Sequence, residues 1–206
     1  MMPSLATGLR TLAACAALLL GACTSSVPTR YHSLLDASAE AIAAASPASF
    51  LIDVQPVGIP AQVDRPQLVV RDGGDVLPLE QERWIAPLAD EVRAALSADL
   101  SRELATTDVA GQPRPPDARV LGIKVELRRF ESVPGAYAAI DAVWSLSVND
   151  AKSSPQVCAS SAREPAGQGY DELVRAHRLT LAAIASRIAS AARTYAAAGK
   201  GVCPAN

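Results

Sequence analysis

The side chains that could perform chemistry are few and widely spaced. The chain of 206 residues has four cysteines and two histidines, His32 and His177. Neither histidine has other ligands at the spacing of a metal site, and His177 is expected at the edge of a buried helix face. A Gly-x-Ser-x-Gly elbow, a phosphate-binding glycine loop and a Cys-x-x-Cys pair are all missing from the sequence. Glu80 and Glu82 are interpreted as solvated loop charges. We therefore predict no enzyme activity, no catalytic residues, no metal and no bound cofactor.

Cys23 follows a segment with the order of a secretion signal. Arg10 supplies its only charge, and the apolar run from Thr11 to Leu20 makes a helix of about 15 Å, too short for a hydrocarbon core of about 30 Å. Leu20-Gly21-Ala22 then precedes the cysteine, which resembles the lipobox of bacterial lipoproteins. The resemblance implies that residues 1–22 are a signal peptide and that Cys23 carries diacylglycerol and an N-acyl chain. The alternative is an ordinary secreted protein cut near Ala22.

The expected location follows from this anchor. Stable attachment takes two or more acyl chains, and a lipoprotein cysteine carries three, so we expect the chain to stay on the membrane. Thr24 follows Cys23 where an inner-membrane retention signal has Asp. We therefore expect the periplasmic face of the outer membrane, with residues 23–30 as a lipidated tether and 31–206 as one domain.

Composition and the remaining cysteines agree with export. The formal net charge of -2 offers no electrostatic reason to expect nucleic acid as a partner. Cys158 and Cys203 would meet an oxidising compartment, where thiols are often paired. Two unpaired buried thiols are the alternative.

The hydrophobic pattern predicts two long helices. Pro87 is placed as a first-turn residue, and apolar residues recur every four positions from Leu88 to Leu104. The second helix is expected from Tyr170 to about Ala198. Ser38 to Ser49 is interpreted as a loop or a weak helical turn.

Alternation of apolar and polar residues predicts the strands. After a bulge near Arg129, the chain should turn back at Pro134-Gly135. The expected strands are Tyr31–Leu35, Ser49–Val57, a hairpin of Gln67–Arg71 with Val76–Leu79, and a meander of Val120–Arg128, Ala138–Val148 and Gln156–Arg163. The order, ββ-hairpin–α–βββ–α, predicts an α+β fold in which both helices pack on one face of an antiparallel β-sheet.

Five segments resemble the PqiC/YmbA family, the lipoprotein auxiliary components of ABC-type, MCE-linked transport systems. They occur in the expected order: Tyr31–Leu35, Pro56–Pro60, Asp64–Arg71, Arg83–Leu88 and Gly169–Val174. The resemblance implies a non-catalytic subunit in lipid transport between the two membranes. It would dock a periplasmic MCE-domain protein, served by an ABC transporter, at the outer membrane. Self-association is left open.

Five residues in these motifs are candidates for binding the partner. Asp64, Arg65 and Pro66 are expected on a loop, and Arg83 and Trp84 precede the first helix. For Trp84, the alternative is packing against the start of that helix. Two other functions remain open: a lipid carrier with an apolar pocket between sheet and helices, and a structural envelope-assembly lipoprotein.

Overall fold

The computed structural model describes residues 27–35, 46–113, 117–148 and 154–205. The predicted signal peptide, Cys23 and most of the loop predicted from Ser38 to Ser49 lie outside the described residues. The elements are β1 (Arg30–His32), β2 (Leu51–Val54), β3 (Gln67–Asp72), β4 (Asp75–Trp84), α1 (Leu88–Leu104), β5 (Val120–Val133), β6 (Tyr137–Val148), β7 (Gln156–Pro165) and α2 (Tyr170–Ala198).

The α+β class and the order of the elements are confirmed, but the described strands form two sheets instead of one. The smaller sheet has the order β1-β4-β3 and the larger has the order β2-β5-β6-β7. The pairs β1–β4 and β2–β5 are parallel, and the other pairs are antiparallel. The prediction missed the parallel pairs because no tight turn links their strands, so no local signal fixes their direction.

The main core lies between the larger sheet and the helices. Leu121, Ile123, Val125 and Leu127 alternate along β5, and each is at most 2% exposed. The predicted bulge is present, because the register with β6 shifts between Leu127 and Arg129. After this shift Phe130 returns to the buried face and is 4% exposed. The bulge therefore preserves the apolar face of a 14-residue strand.

Candidate docking surface and tether attachment

The fold brings three of the motif segments together at one end of the smaller sheet. The Trp84 N–H donates to the carbonyl of Pro66 at 2.9 Å, and the Ile85 N–H donates to the carbonyl of His32 at 2.9 Å. Tyr31 in β1 lies beside Arg83 in β4. The loop before β3, the end of β4 and the first strand are therefore neighbours, although they come from distant parts of the sequence.

The outer side of this region combines charged and apolar side chains. Asp64, Arg65 and Pro66 are exposed and lie on the loop before β3, and their role in binding a partner stays a prediction. Arg83 is 36% exposed at its side chain. Tyr31 and Ile85 are each 60% exposed, and sequence reasoning had not selected either of them. We call these six residues the motif surface.

Trp84 lies on the opposite, buried side. It is 3% exposed and makes an edge-to-face contact with Phe130, with 6.1 Å between ring centroids. Neighbouring residues of a strand point to opposite faces, which explains why Arg83 is accessible and Trp84 is not. The structure thus favours the packing alternative for Trp84, and we leave it out of the motif surface.

The last residue of the predicted tether and the strand that follows it are held by a charged cluster. His32 Nε2 lies 2.5 Å from Glu82 Oε2, and its Nδ1 lies 3.6 Å from Asp171. Arg30 donates to Asp171 at 2.6 Å and lies 3.7 Å from Glu82. The hydrogen bond to Asp171, helped by the charge of Glu82, raises the pKa of Arg30 above its ordinary value. Glu82 is 8% exposed, so its interpretation as a solvated loop charge was wrong.

Both helices also bind the residues after β1. The Glu91 carboxylate of α1 accepts from the Leu34 N–H at 2.7 Å and from the Ser33 hydroxyl at 2.8 Å. The Arg178 guanidinium of α2 donates to the Ser33 carbonyl at 2.7 and 3.1 Å. The first segment of the domain is therefore fixed to β4, α1 and α2 together. We call these contacts, with those of Arg30 and His32, the tether clamp.

The comparisons with known proteins agree with these motifs. Residues 32–189 match the sequence model of the ABC-type transport auxiliary lipoprotein component. The chain belongs to this family. No curated protein matches the chain significantly.

Solved structures show the same fold as this auxiliary lipoprotein. The crystal structure of an uncharacterized protein is similar with a TM-score of 0.62 and 21% identity, covering 80% of this chain and 98% of the other. Protein XCC0632 from Xanthomonas campestris is similar with a TM-score of 0.52 and 15% identity, covering 68% of this chain and 82% of the other. At these identities the likeness concerns the fold alone.

The last motif of this auxiliary lipoprotein has a conformational explanation. Gly169 precedes α2 with φ 90° and ψ 163°, a region that is almost restricted to glycine. Two residues later, Asp171 lies in the first helical turn, where a negative charge is favoured. The glycine thus starts α2 in the direction that brings Asp171 to Arg30 and His32.

The two cysteines of the folded part lie within bonding reach. The structure joins Cys158 of β7 to Cys203, with a Cα–Cα distance of 5.5 Å. Cys158 is 4% exposed, and the bond ties the segment after α2 to the edge of the larger sheet. The disulfide predicts a change of gel mobility with reductant.

The interior of the auxiliary lipoprotein is packed where a carrier would need space. A carrier could use the small alanine side chains of α2 to make room for acyl chains. Three of these alanines, Ala176, Ala185 and Ala192, are instead fully buried (0% exposed) and belong to the core cluster. This favours close helix–sheet packing over a lipid cavity.

In the part of the chain that the structure describes, neither α1 nor α2 has the length and apolar character of a membrane-spanning helix. The same described residues contain no group of three or more His, Cys, Asp or Glu side chains that could hold a metal ion.

Proposed function

We propose that this auxiliary lipoprotein is the outer-membrane docking subunit of its ABC transport system. In this proposal, acyl chains on Cys23 hold the protein on the periplasmic face of the outer membrane. The motif surface then binds the periplasmic MCE-domain component of the system. The protein acts by holding its partner in place and performs no reaction.

The observation that carries the proposal is the position of the motif surface beside the tether clamp. Tyr31 belongs to the motif surface and directly follows Arg30 of the clamp. Cys23 and Arg30 are seven residues apart, so an extended tether spans at most about 25 Å. A partner on this surface is therefore held close to the bilayer, where a transport path between membranes has to end.

The make-up of the surface suits a protein partner. Tyr31 and Ile85 offer an aromatic and an aliphatic side chain that lose contact with water on binding. Asp64, Arg65 and Arg83 surround them with charge. Protein interfaces commonly combine a small apolar or aromatic centre with a polar rim, and Tyr and Arg are enriched among the residues that dominate binding.

Co-purification of the complex tests the docking role. The full-length lipoprotein, tagged at its C-terminus, is extracted from envelopes in mild detergent, and bound proteins are identified by mass spectrometry. We expect the MCE-domain protein of the same system, and we expect its recovery to fall when Arg65 is replaced by Glu. Absence of the MCE protein from the wild-type sample would contradict docking.

The anchor is tested separately by fractionation. Cys23→Ser removes the acylation site, and the signal peptide of a non-lipidated periplasmic protein replaces residues 1–22 so that cleavage does not depend on Cys23. This variant should move from outer-membrane to soluble periplasmic fractions. Retention of this variant in the outer membrane at the wild-type level would contradict anchoring through Cys23. Recovery of the wild-type protein in inner-membrane fractions would instead contradict the proposed location.

A further inference from the structure

A cleft with three arginines opens between the two sheets. It has a volume of about 310 Å³ and lies where the β3–β4 hairpin meets β5. Arg71, Arg128 and Arg129 line it. Its apolar lining consists largely of the valines of β3 and the preceding loop, Val63, Val69 and Val70. We call this site the arginine cleft.

Two carboxylates hold part of this cluster in place. Arg71 Nε donates to Glu131 at 2.9 Å, and Arg129 Nη2 donates to Asp141 at 3.2 Å. The Tyr137 hydroxyl donates to Glu131 at 2.8 Å. This hydrogen bond is the largest cause that lowers the pKa of Glu131, followed by that from Arg71. Glu131 therefore remains ionised and keeps Arg71 at the cleft.

The cleft nevertheless has donors that its own acceptors do not bind. Arg128 is exposed, and it makes no hydrogen bond or ion pair within the described residues. The buried Nε of Arg129 lies 2.8 Å from Asp141 but is not aligned to donate to it. Three guanidinium charges also face only two carboxylates, which leaves one positive charge unbalanced. An incoming group with acceptor oxygens and negative charge would correct both deficits.

The bulge of β5 lies at this site. The register with β6 shifts between Leu127 and Arg129, so Arg128 stands at the irregularity and Arg129 directly follows it. The cleft is lined by residues 128–132, so both faces of this part of β5 contribute atoms to it. Bulges often redirect side chains beside functional sites.

We propose that the arginine cleft binds an acidic segment of the protein that docks on the motif surface. Guanidinium groups bind carboxylates through paired hydrogen bonds, and the valines accept the apolar parts of the same segment. Gln62 and Val63 line the cleft and directly precede Asp64 of the motif surface, so one partner can reach both. This inference rests on the proposed function, because it specifies the chemistry of the proposed partner.

A charge-reversal pair provides the test. The mature chain without residues 1–22, and with Cys23 replaced by Ser to keep it soluble, is titrated with a hexaglutamate peptide by calorimetry. We expect Arg128→Glu to weaken binding by about tenfold, as for loss of a charge-assisted contact. Lys124→Glu is the matched control, because Lys124 is exposed on the same strand and does not line the cleft; it should change affinity less than twofold. Equal weakening by both variants, or by neither, would overturn the proposal.

Two further arms separate the alternatives. Vesicles containing phosphatidylglycerol offer phosphate in place of carboxylate, and Arg128-dependent binding to these vesicles without binding to the peptide would overturn the proposal. The MCE-domain protein itself is then captured with wild-type and Arg128→Glu lipoprotein. Equal capture by both would contradict the cleft but leave docking intact. Peptide binding that depends on Arg128, without any capture of the MCE protein, would support the cleft and contradict the proposed function.

Discussion

Acid should destabilise this protein through His177. The imidazole is 0% exposed and lies parallel to the Phe130 ring, with 4.0 Å between ring centroids. Its Nε2 is 2.8 Å from the Ser132 hydroxyl, and its Nδ1 has no hydrogen-bond partner in the described structure. Burial lowers the pKa of His177 to about 3. The edge position expected from the sequence is thus a fully buried one.

The size of the effect follows from the two pKa values. In the unfolded chain the imidazole has a pKa of about 6.5. Between pH 6.5 and pH 3 the unfolded chain therefore binds a proton that the folded protein does not, so stability falls as the pH falls through this window. Below about pH 3 both states are protonated and this loss levels off. At pH 5 the pH lies about 1.5 units below the unfolded pKa, and the loss relative to pH 7 is about 2 kcal/mol.

Urea unfolding of a variant pair isolates this contribution. His177→Phe keeps a ring against Phe130, and Ser132→Ala removes the hydroxyl that would otherwise lose its partner. Unfolding of the non-lipidated protein is followed by tryptophan fluorescence at pH 7 and at pH 5. We expect the wild type to lose about 2 kcal/mol more than the double variant over this interval. Equal losses in the two proteins would refute the reasoning, because every other titrating group is shared.

Three substitutions test other parts of the structure. Gly169→Ala should lower the free energy of unfolding by about 1–3 kcal/mol, because alanine is strained at this φ and ψ. Gly74→Ala is the control, because Gly74 lies in an exposed turn with open space around it, and it should change the free energy of unfolding little. Similar effects of the two variants would contradict the conformational argument. Glu91→Ala should lower the free energy of unfolding, measured in urea, by about 2–3 kcal/mol, because two donors of the tether clamp lose their acceptor. A decrease below about 0.5 kcal/mol, the size of a neutral surface change, would contradict the clamp. Cys158→Ser should lower the free energy of unfolding by up to about 4 kcal/mol, the stabilisation that the chain-entropy model gives for this loop. Only the wild type should change its gel mobility when reductant is added. An unchanged wild-type mobility would show that Cys158 and Cys203 are not bonded.

Local patterns predicted most of the secondary structure. The alternation of apolar and polar residues predicted β5, β6 and the bulge within β5, because one face of each strand is buried and the other is not. The four-residue recurrence after Pro87 gave α1, because a helix buries one stripe of its surface. These features depend on neighbouring residues, so a single sequence contains the necessary information.

Long-range pairing was not predictable in the same way. His32 meets Glu82 across 50 residues of sequence, and Arg71 meets Glu131 across 60. No turn or periodicity links such partners, so the tether clamp and the arginine cleft appear only in three dimensions. Tyr31 and Ile85 were missed because each flanks a buried residue, and exposure there depends on how β1 joins β4.

Photo-crosslinking in living cells tests docking at the motif surface most directly. A photoreactive amino acid replaces Arg65 on the motif surface, or Val157, which is 63% exposed on the last strand of the larger sheet. Adducts are identified by mass spectrometry after irradiation of cells that carry the intact transport system. The proposal predicts an adduct between position 65 and the MCE-domain protein, and none from position 157. No adduct from position 65, or equal adducts from both positions, would contradict docking at this surface.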